Sequence, residues 1–100
     1  MAQCGDRAHS SRPADVVARR DRELQAEVLR ALGHPVRLAI LDLLRRGERC
    51  VCEIEPELGL RQPNISQHLA TLRAARLVAN RRDGLRVMYR VLDPDLFALL

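Results

Sequence analysis

Lysine is absent from this chain, and all 17 basic residues are arginine. Tryptophan is absent too, and Tyr89 and Phe97 are the only aromatic residues, so a core must be built from Leu, Val, Ile and Ala. No run comes near the ~18 consecutive apolar residues of a membrane span. No signal peptide is visible, because the N-terminus is polar and carries Asp6 and Arg7. A cytoplasmic location is therefore expected, where thiols stay reduced. Cysteine is scarce and odd in number, at three, which argues against a disulfide framework.

What is present fits one small domain: 100 residues, 47% of them hydrophobic. A domain of this size buries a modest core and often gains stability by dimerising. The net charge of +4 and a pI near 9.8 favour a polyanionic partner. Arginine suits that task, since its planar fork meets phosphate and guanine through paired hydrogen bonds.

Along the chain, residues 1–14 are polar and read as a flexible N-terminal arm. Asp15 to Leu32 reads as a helix with Val17, Leu24, Val28 and Leu32 at helical spacing, ended by Gly33. Pro35 opens a second helix, with Val36, Ile40, Leu43 and Leu44 as its apolar stripe and Gly47 as its stop. Cys52 to Leu58 predicts a short third helix, with Pro56 tolerated only in a first turn. Gln62 to Arg76 predicts a fourth, with Ile65, Leu69 and Leu72 turned inward. The period then changes. Val78 to Arg82 and Leu85 to Leu92 have strand character around Asp83-Gly84, a strong hairpin signal. Asp93 caps a last apolar helix from Pro94 to Leu100, whose Leu96, Phe97, Leu99 and Leu100 call for a second subunit to cover them all.

The order of four helices, a hairpin and a helix is that of a winged helix-turn-helix, mainly α with a β-hairpin wing. Residues 15–100 would form its DNA-binding and dimerisation domain. Helix-turn-helix proteins read base edges with the N-terminal residues of the second helix. Here those are Gln62, Asn64, Ser66, Gln67 and His68. Gln and Asn pair bidentately with adenine, and Ser is permissive. His68 suits a phosphate contact and a structural hydrogen bond equally. Arg81, Arg82 and Arg86 flank the wing turn and suit contact with the DNA backbone or minor groove.

Cys50-Val51-Cys52 precedes this unit. Residues i and i+2 of a regular helix diverge, so the two thiols share an ion only if Cys50 is extended and Cys52 lies in the first turn. A helix N-terminus favours the thiolate that soft ions need. A disulfide between them is expected to be disfavoured, because the two residues are so close in sequence.

Three motifs in order now resemble one family. Leu32-Gly33-His34-Pro35-Val36-Arg37-Leu38, Glu48-Arg49-Cys50-Val51-Cys52-Glu53-Ile54 and Gln62-Pro63-Asn64-Ile65-Ser66-Gln67-His68-Leu69 resemble the opening signature, metal box and recognition helix of the ArsR/SmtB repressors. The match covers about Leu29 to Leu96. The resemblance implies a homodimeric repressor that holds double-stranded operator DNA and releases it when a thiophilic ion binds the box. The ion would be As(III) or Sb(III), or Cd(II), Pb(II) or Zn(II), with Cys50 and Cys52 as ligands. The third cysteine common in the arsenic-responsive members is Glu55 here. In cadmium/lead-responsive members the N-terminal arm donates cysteines, which makes Cys4 the candidate third ligand and His9 a weaker candidate for a fourth. The family's carboxylate–histidine site on the last helix is matched at Asp93 but not at Asp95.

The alternative keeps the DNA grip and makes the thiols a redox or persulfide sensor, with Cys4 as a resolving partner. An enzyme is not expected, because no His lies within a few residues of the thiol pair to serve as a base. Neither an organic cofactor, a membrane nor a small-molecule substrate is implied.

Overall fold

The structure is a computed structural model that describes the backbone of residues 13–99 and the side chains of residues 21–98. Helix α1 spans Pro13–Leu32, starting two residues before the expected Asp15, with Pro13 at a first position that needs no N–H. Helix α2 spans Pro35–Arg45. His34 caps it: its Nδ1 accepts the Val36 N–H at 3.1 Å, the local role that a histidine before Pro35 suits. A two-residue strand, β1 (Arg49–Cys50), follows and runs directly into helix α3, Val51–Leu58. Helix α4 spans Gln62–Ala74.

Pro56 corrects the sequence expectation, since it sits in the second turn of α3. Its ring removes the N–H that would meet the Cys52 carbonyl. The helix continues only to Leu58, and Gly59 ends it at φ 65 with its N–H on the Glu55 carbonyl at 2.9 Å. Helix α4 also ends earlier than Arg76. Arg76 itself adopts the left-handed conformation (φ 63), and the Leu77 N–H returns to the Leu72 carbonyl at 3.0 Å. That six-to-one bond turns the chain sharply from α4 into the wing.

The wing is the antiparallel pair β2 (Val78–Asp83) and β3 (Arg86–Val91), and β1 pairs with the free edge of β3 to give the order β1-β3-β2. Asp83 pairs with Arg86, so the two loop residues are Gly84 and Leu85 rather than Asp83 and Gly84. Gly84 takes φ 65 at the first loop position, where a side chain would be strained. The opposite charges of Asp83 and Arg86 favour this register.

Ile40, Leu41, Ile54, Ile65, Leu69 and Leu72 are fully buried and join α2, α3 and α4 into one aliphatic core. Val28, Val36, Tyr89 and Val91 pack against its rim. The last segment, Pro94–Leu99, is a 3₁₀ turn rather than an α-helix, and the Asp93 carboxylate accepts the Asp95 N–H at 2.9 Å at its start. Leu96 is buried, and the Arg45 guanidinium lies 5.1 Å from the Phe97 ring centre. Leu24 and Leu29 on α1 stay exposed, although Leu24 was expected on the inner stripe. No helix among the described residues is long and apolar enough to cross a membrane.

Candidate DNA interface and thiol site

Helix α4 is buried along one face and polar along the other. Ile65 and Leu69 are fully enclosed, while Gln62, Asn64 and Gln67 are exposed and Ser66 is half-buried. The 3.6-residue period brings Asn64 and Gln67 to one surface, three residues apart. Pro63 opens the helix without needing a donor.

His68 is set apart from this surface. It is half-buried, its ring lies 4.4 Å from that of His34, and its Nδ1 accepts the Arg37 Nε–H at 3.1 Å. The same guanidinium donates to the Arg30 and Ala31 carbonyls at 3.3 Å each, at the C-terminal end of α1. Arg37 therefore ties α1 to α4, and the structural hydrogen bond foreseen as one role for His68 is formed. Burial pushes the His68 imidazole below its usual pKa, with His34 and then Arg37 adding to the effect. A neutral ring is what an accepting Nδ1 requires.

The three wing arginines do not share a face. Side chains alternate along a strand, so Arg82 shares a face of β2 with Val78 and Asn80, and Arg81 lies on the opposite face, across from Met88. Arg81 is also already engaged, since its Nε and a terminal nitrogen meet the two Glu48 carboxylate oxygens at 2.8 and 2.7 Å. These hydrogen bonds hold the Glu48 carboxyl below its usual range. Arg86 lies 3.9 Å from Glu53 and 3.8 Å from the Met88 sulfur. Arg82 is exposed at the tip of β2, and Leu85 at the hairpin apex is 99% exposed.

Cys50 and Cys52 are brought together as the sequence required. Cys50 is extended (φ −89, ψ 165) at the N-cap of α3, and Cys52 lies in the first turn. Their Cα atoms are 5.2 Å apart and their sulfurs are bonded as a disulfide. That corrects the expectation of a disfavoured bridge, because an extended Cys50 restores the ordinary Cα separation of a disulfide. The two sulfurs are unequal: Cys50 is 1% exposed, whereas Cys52 is open to solvent. Glu53 accepts the Cys50 N–H at 2.9 Å, a contact that sequence reading missed although an acid three residues after an N-cap is its signal.

A cleft of about 290 Å³ adjoins the pair, lined by Cys50, Cys52, Glu55, Gln62, Ser66 and Tyr89 among others. It joins the thiols, the start of α4 and the inner face of the wing. Among the described residues, no group of three or more His, Cys, Asp or Glu side chains is arranged to hold an ion. The described residues thus supply two sulfurs, short of the three or four ligands that As(III), Cd(II) or Zn(II) take. Cys4 and His9 lie outside the described residues.

Residues 34–80 match the family model of the arsR family of bacterial regulatory proteins. The chain is 49% identical over 70 residues to the HTH-type transcriptional repressor SmtB of Mycobacterium tuberculosis. That alignment takes in 70% of this chain but only 52% of the repressor, so the chain spans about half its length. A solved homodimeric winged helix-turn-helix DNA-binding domain from Mycobacterium bovis, a possible ArsR-family regulator, superposes with a TM-score of 0.78. It is 36% identical, over 90% of this chain and 84% of that one. Reduced HlyU from Vibrio cholerae superposes at 0.73 with 32% identity, over 82% of this chain and 86% of that one.

Proposed function

Because the chain belongs to the ArsR family of bacterial regulatory proteins, we propose that it is a transcriptional repressor whose grip on operator DNA is set by Cys50 and Cys52. The observation that carries this reading is the exposed Gln62, Asn64 and Gln67 surface of α4, beside a basic wing and across a shared cleft from the thiol pair. Residues 15–100 are the DNA-binding and dimerisation domain, and residues 1–14 are its N-terminal arm. Exposed Leu24 and Leu29 on α1 supply apolar surface for a two-fold partner, in line with the homodimeric state of the Mycobacterium bovis domain. The site of action is the cytoplasm.

Two chemistries fit the pair. In the first, a thiophilic ion, As(III)/Sb(III) or Cd(II)/Pb(II)/Zn(II), binds the reduced thiolates with Cys4 as third ligand. In the second, the pair closes as a disulfide when oxidised. The Cα separation of 5.2 Å and the bonded sulfurs favour this second reading. In either case DNA and the thiol reaction must weaken each other equally, since linkage is reciprocal.

The test is anisotropy of the preformed DNA complex. As(III), Cd(II) and Zn(II) are titrated into reduced protein, and a thiol oxidant is added in a parallel series. Ion-driven release that Cys4→Ser weakens supports the first chemistry. Release by oxidant alone, with Cys4→Ser unchanged, supports the second. If Cys50→Ser and Cys52→Ser both release DNA as the unaltered chain does, the thiol control is wrong.

A further inference from the structure

We infer that the thiol pair is read out by the wing, through Glu53 acting on Arg86. This rests on the thiol control proposed above and names its route to DNA. Strand β1 carries Cys50 and is flanked by two acids, Glu48 before it and Glu53 after it. Each acid holds one wing arginine on the same face of the hairpin: Glu48 takes Arg81 and Glu53 takes Arg86. The ladder between them pairs Arg49 with Tyr89 and Cys50 with Met88. The thiol-bearing segment is thus strapped to the wing at both ends and along its middle.

The two straps differ in what they sense. Glu48 lies outside the Cys50–Cys52 turn and chelates Arg81 with both oxygens at 2.7 and 2.8 Å, so it is the fixed anchor. Glu53 lies inside the turn. A single oxygen, its Oε1, accepts the Cys50 N–H at 2.9 Å and lies 3.9 Å from the Arg86 guanidinium. Whatever moves the Cys50 amide therefore moves the carboxylate that holds Arg86. Both partners are about half exposed, so a small displacement of Glu53 is enough to undo the pair. With the pair closed, Glu53 occupies Arg86 and the wing offers one cation fewer to DNA. With the pair open, the cap on Cys50 loosens and Arg86 is free for a phosphate. Glu53 is a positioning residue in this scheme, because it touches no DNA.

The experiment measures binding of the full chain to a mixed-sequence duplex over a salt series, with the pair reduced and with it oxidised. Phosphate contacts are counted by the salt slope whatever the sequence. The reduced chain should show a slope steeper by about 0.9 per subunit and bind roughly fivefold more tightly per subunit at about 0.15 M salt. In Glu53→Gln the amide oxygen still accepts the Cys50 N–H but the charge is gone, so both states should share one slope. Mass spectrometry should show the same disulfide yield in that variant. Arg86→Gln should also merge the two slopes, while Glu48→Gln and the charge control Glu57→Gln should keep them apart. A Glu53→Gln protein that retains the full difference overturns the relay and leaves the thiol control standing. An unaltered chain with one slope in both states overturns the relay, and one with the same slope and the same affinity in both states overturns the thiol control as well.

Discussion

Arg81→Ala and Arg82→Ala are neighbouring substitutions that remove the same charge, yet they should act differently on DNA binding. Arg82 is exposed on the face of β2 opposite Arg81 and has no ion-pair partner among the described residues. Arg81 already spends its guanidinium on both Glu48 oxygens. If Arg82 meets one phosphate, its loss should lower the log–log salt slope by about 0.9. At about 0.15 M salt that slope is worth roughly fivefold in affinity, or about 1 kcal/mol. Two such contacts in a homodimer give roughly 30-fold and a slope change of about 1.8. Arg81→Ala should change the slope by well under half as much, because the cation it removes was neutralised before DNA arrived. The assay is fluorescence anisotropy on specific and mixed-sequence duplexes over a salt series. Arg82→Ala should weaken both duplexes alike. Gln67→Ala should weaken only the specific one, by about 1–3 kcal/mol if it pairs bidentately with a base. Equal slope changes for Arg81→Ala and Arg82→Ala would refute the division of the wing into a held and a free face.

Three further outcomes follow from particular contacts. The His68 pKa is lowered in the folded state, so the unfolded chain binds more protons on the acid side of the ordinary histidine value of about 6.5. Stability should be full above about pH 6.5 and fall as the pH drops below it, and urea melts of His68→Asn should lose that dependence. In the reduced chain, iodoacetamide should label exposed Cys52 well before Cys50, which is 1% exposed, and unfolding in urea should make the two rates similar. Peptide mapping checks this, and faster labelling of Cys50 under native conditions would contradict the asymmetry. Leu29→Glu, on the exposed apolar surface of α1, should shift sedimentation from dimer to monomer and weaken binding to a palindromic operator more than to a single half-site.

Much of the fold was legible because its signals are local and periodic. Ile65, Leu69 and Leu72 mark the buried side of α4, and the polar residues between them mark the other side, so both the helix and its candidate DNA surface follow from one period of 3.6 residues. The pairing of extended Cys50 with helical Cys52 followed from the divergence of i and i+2 in a regular helix. Strand β1 was not legible. Two residues carry no alternation, and they form a strand only because β3, nearly forty residues later, offers them an open edge. The clamp of Arg37 on His68 and on the end of α1 was hidden for the same reason, since its partners lie 31, 7 and 6 residues away.

The wing shows where a charge cluster stops being informative. In sequence, Arg81, Arg82 and Arg86 form one basic group with one expected role. A strand has no such group, because its period of two sends Arg81 and Arg82 to opposite faces. Register then decides the rest. A hairpin with Asp83 and Gly84 in its loop would slide the pairing by two residues, keep every side chain on its face and set Arg81 directly across from Arg86, two like charges. The observed Asp83–Arg86 pairing instead puts Arg81 across from Met88, where it meets Glu48. The signal that could have anticipated this was the acidic pair around the thiols, Glu48 and Glu53, read as partners for cations rather than as neighbours of a metal box. Two acids placed against three arginines leave a single fully available cation near the wing tip. The salt slope therefore counts how many of the three arginines belong to DNA and how many to the thiol segment.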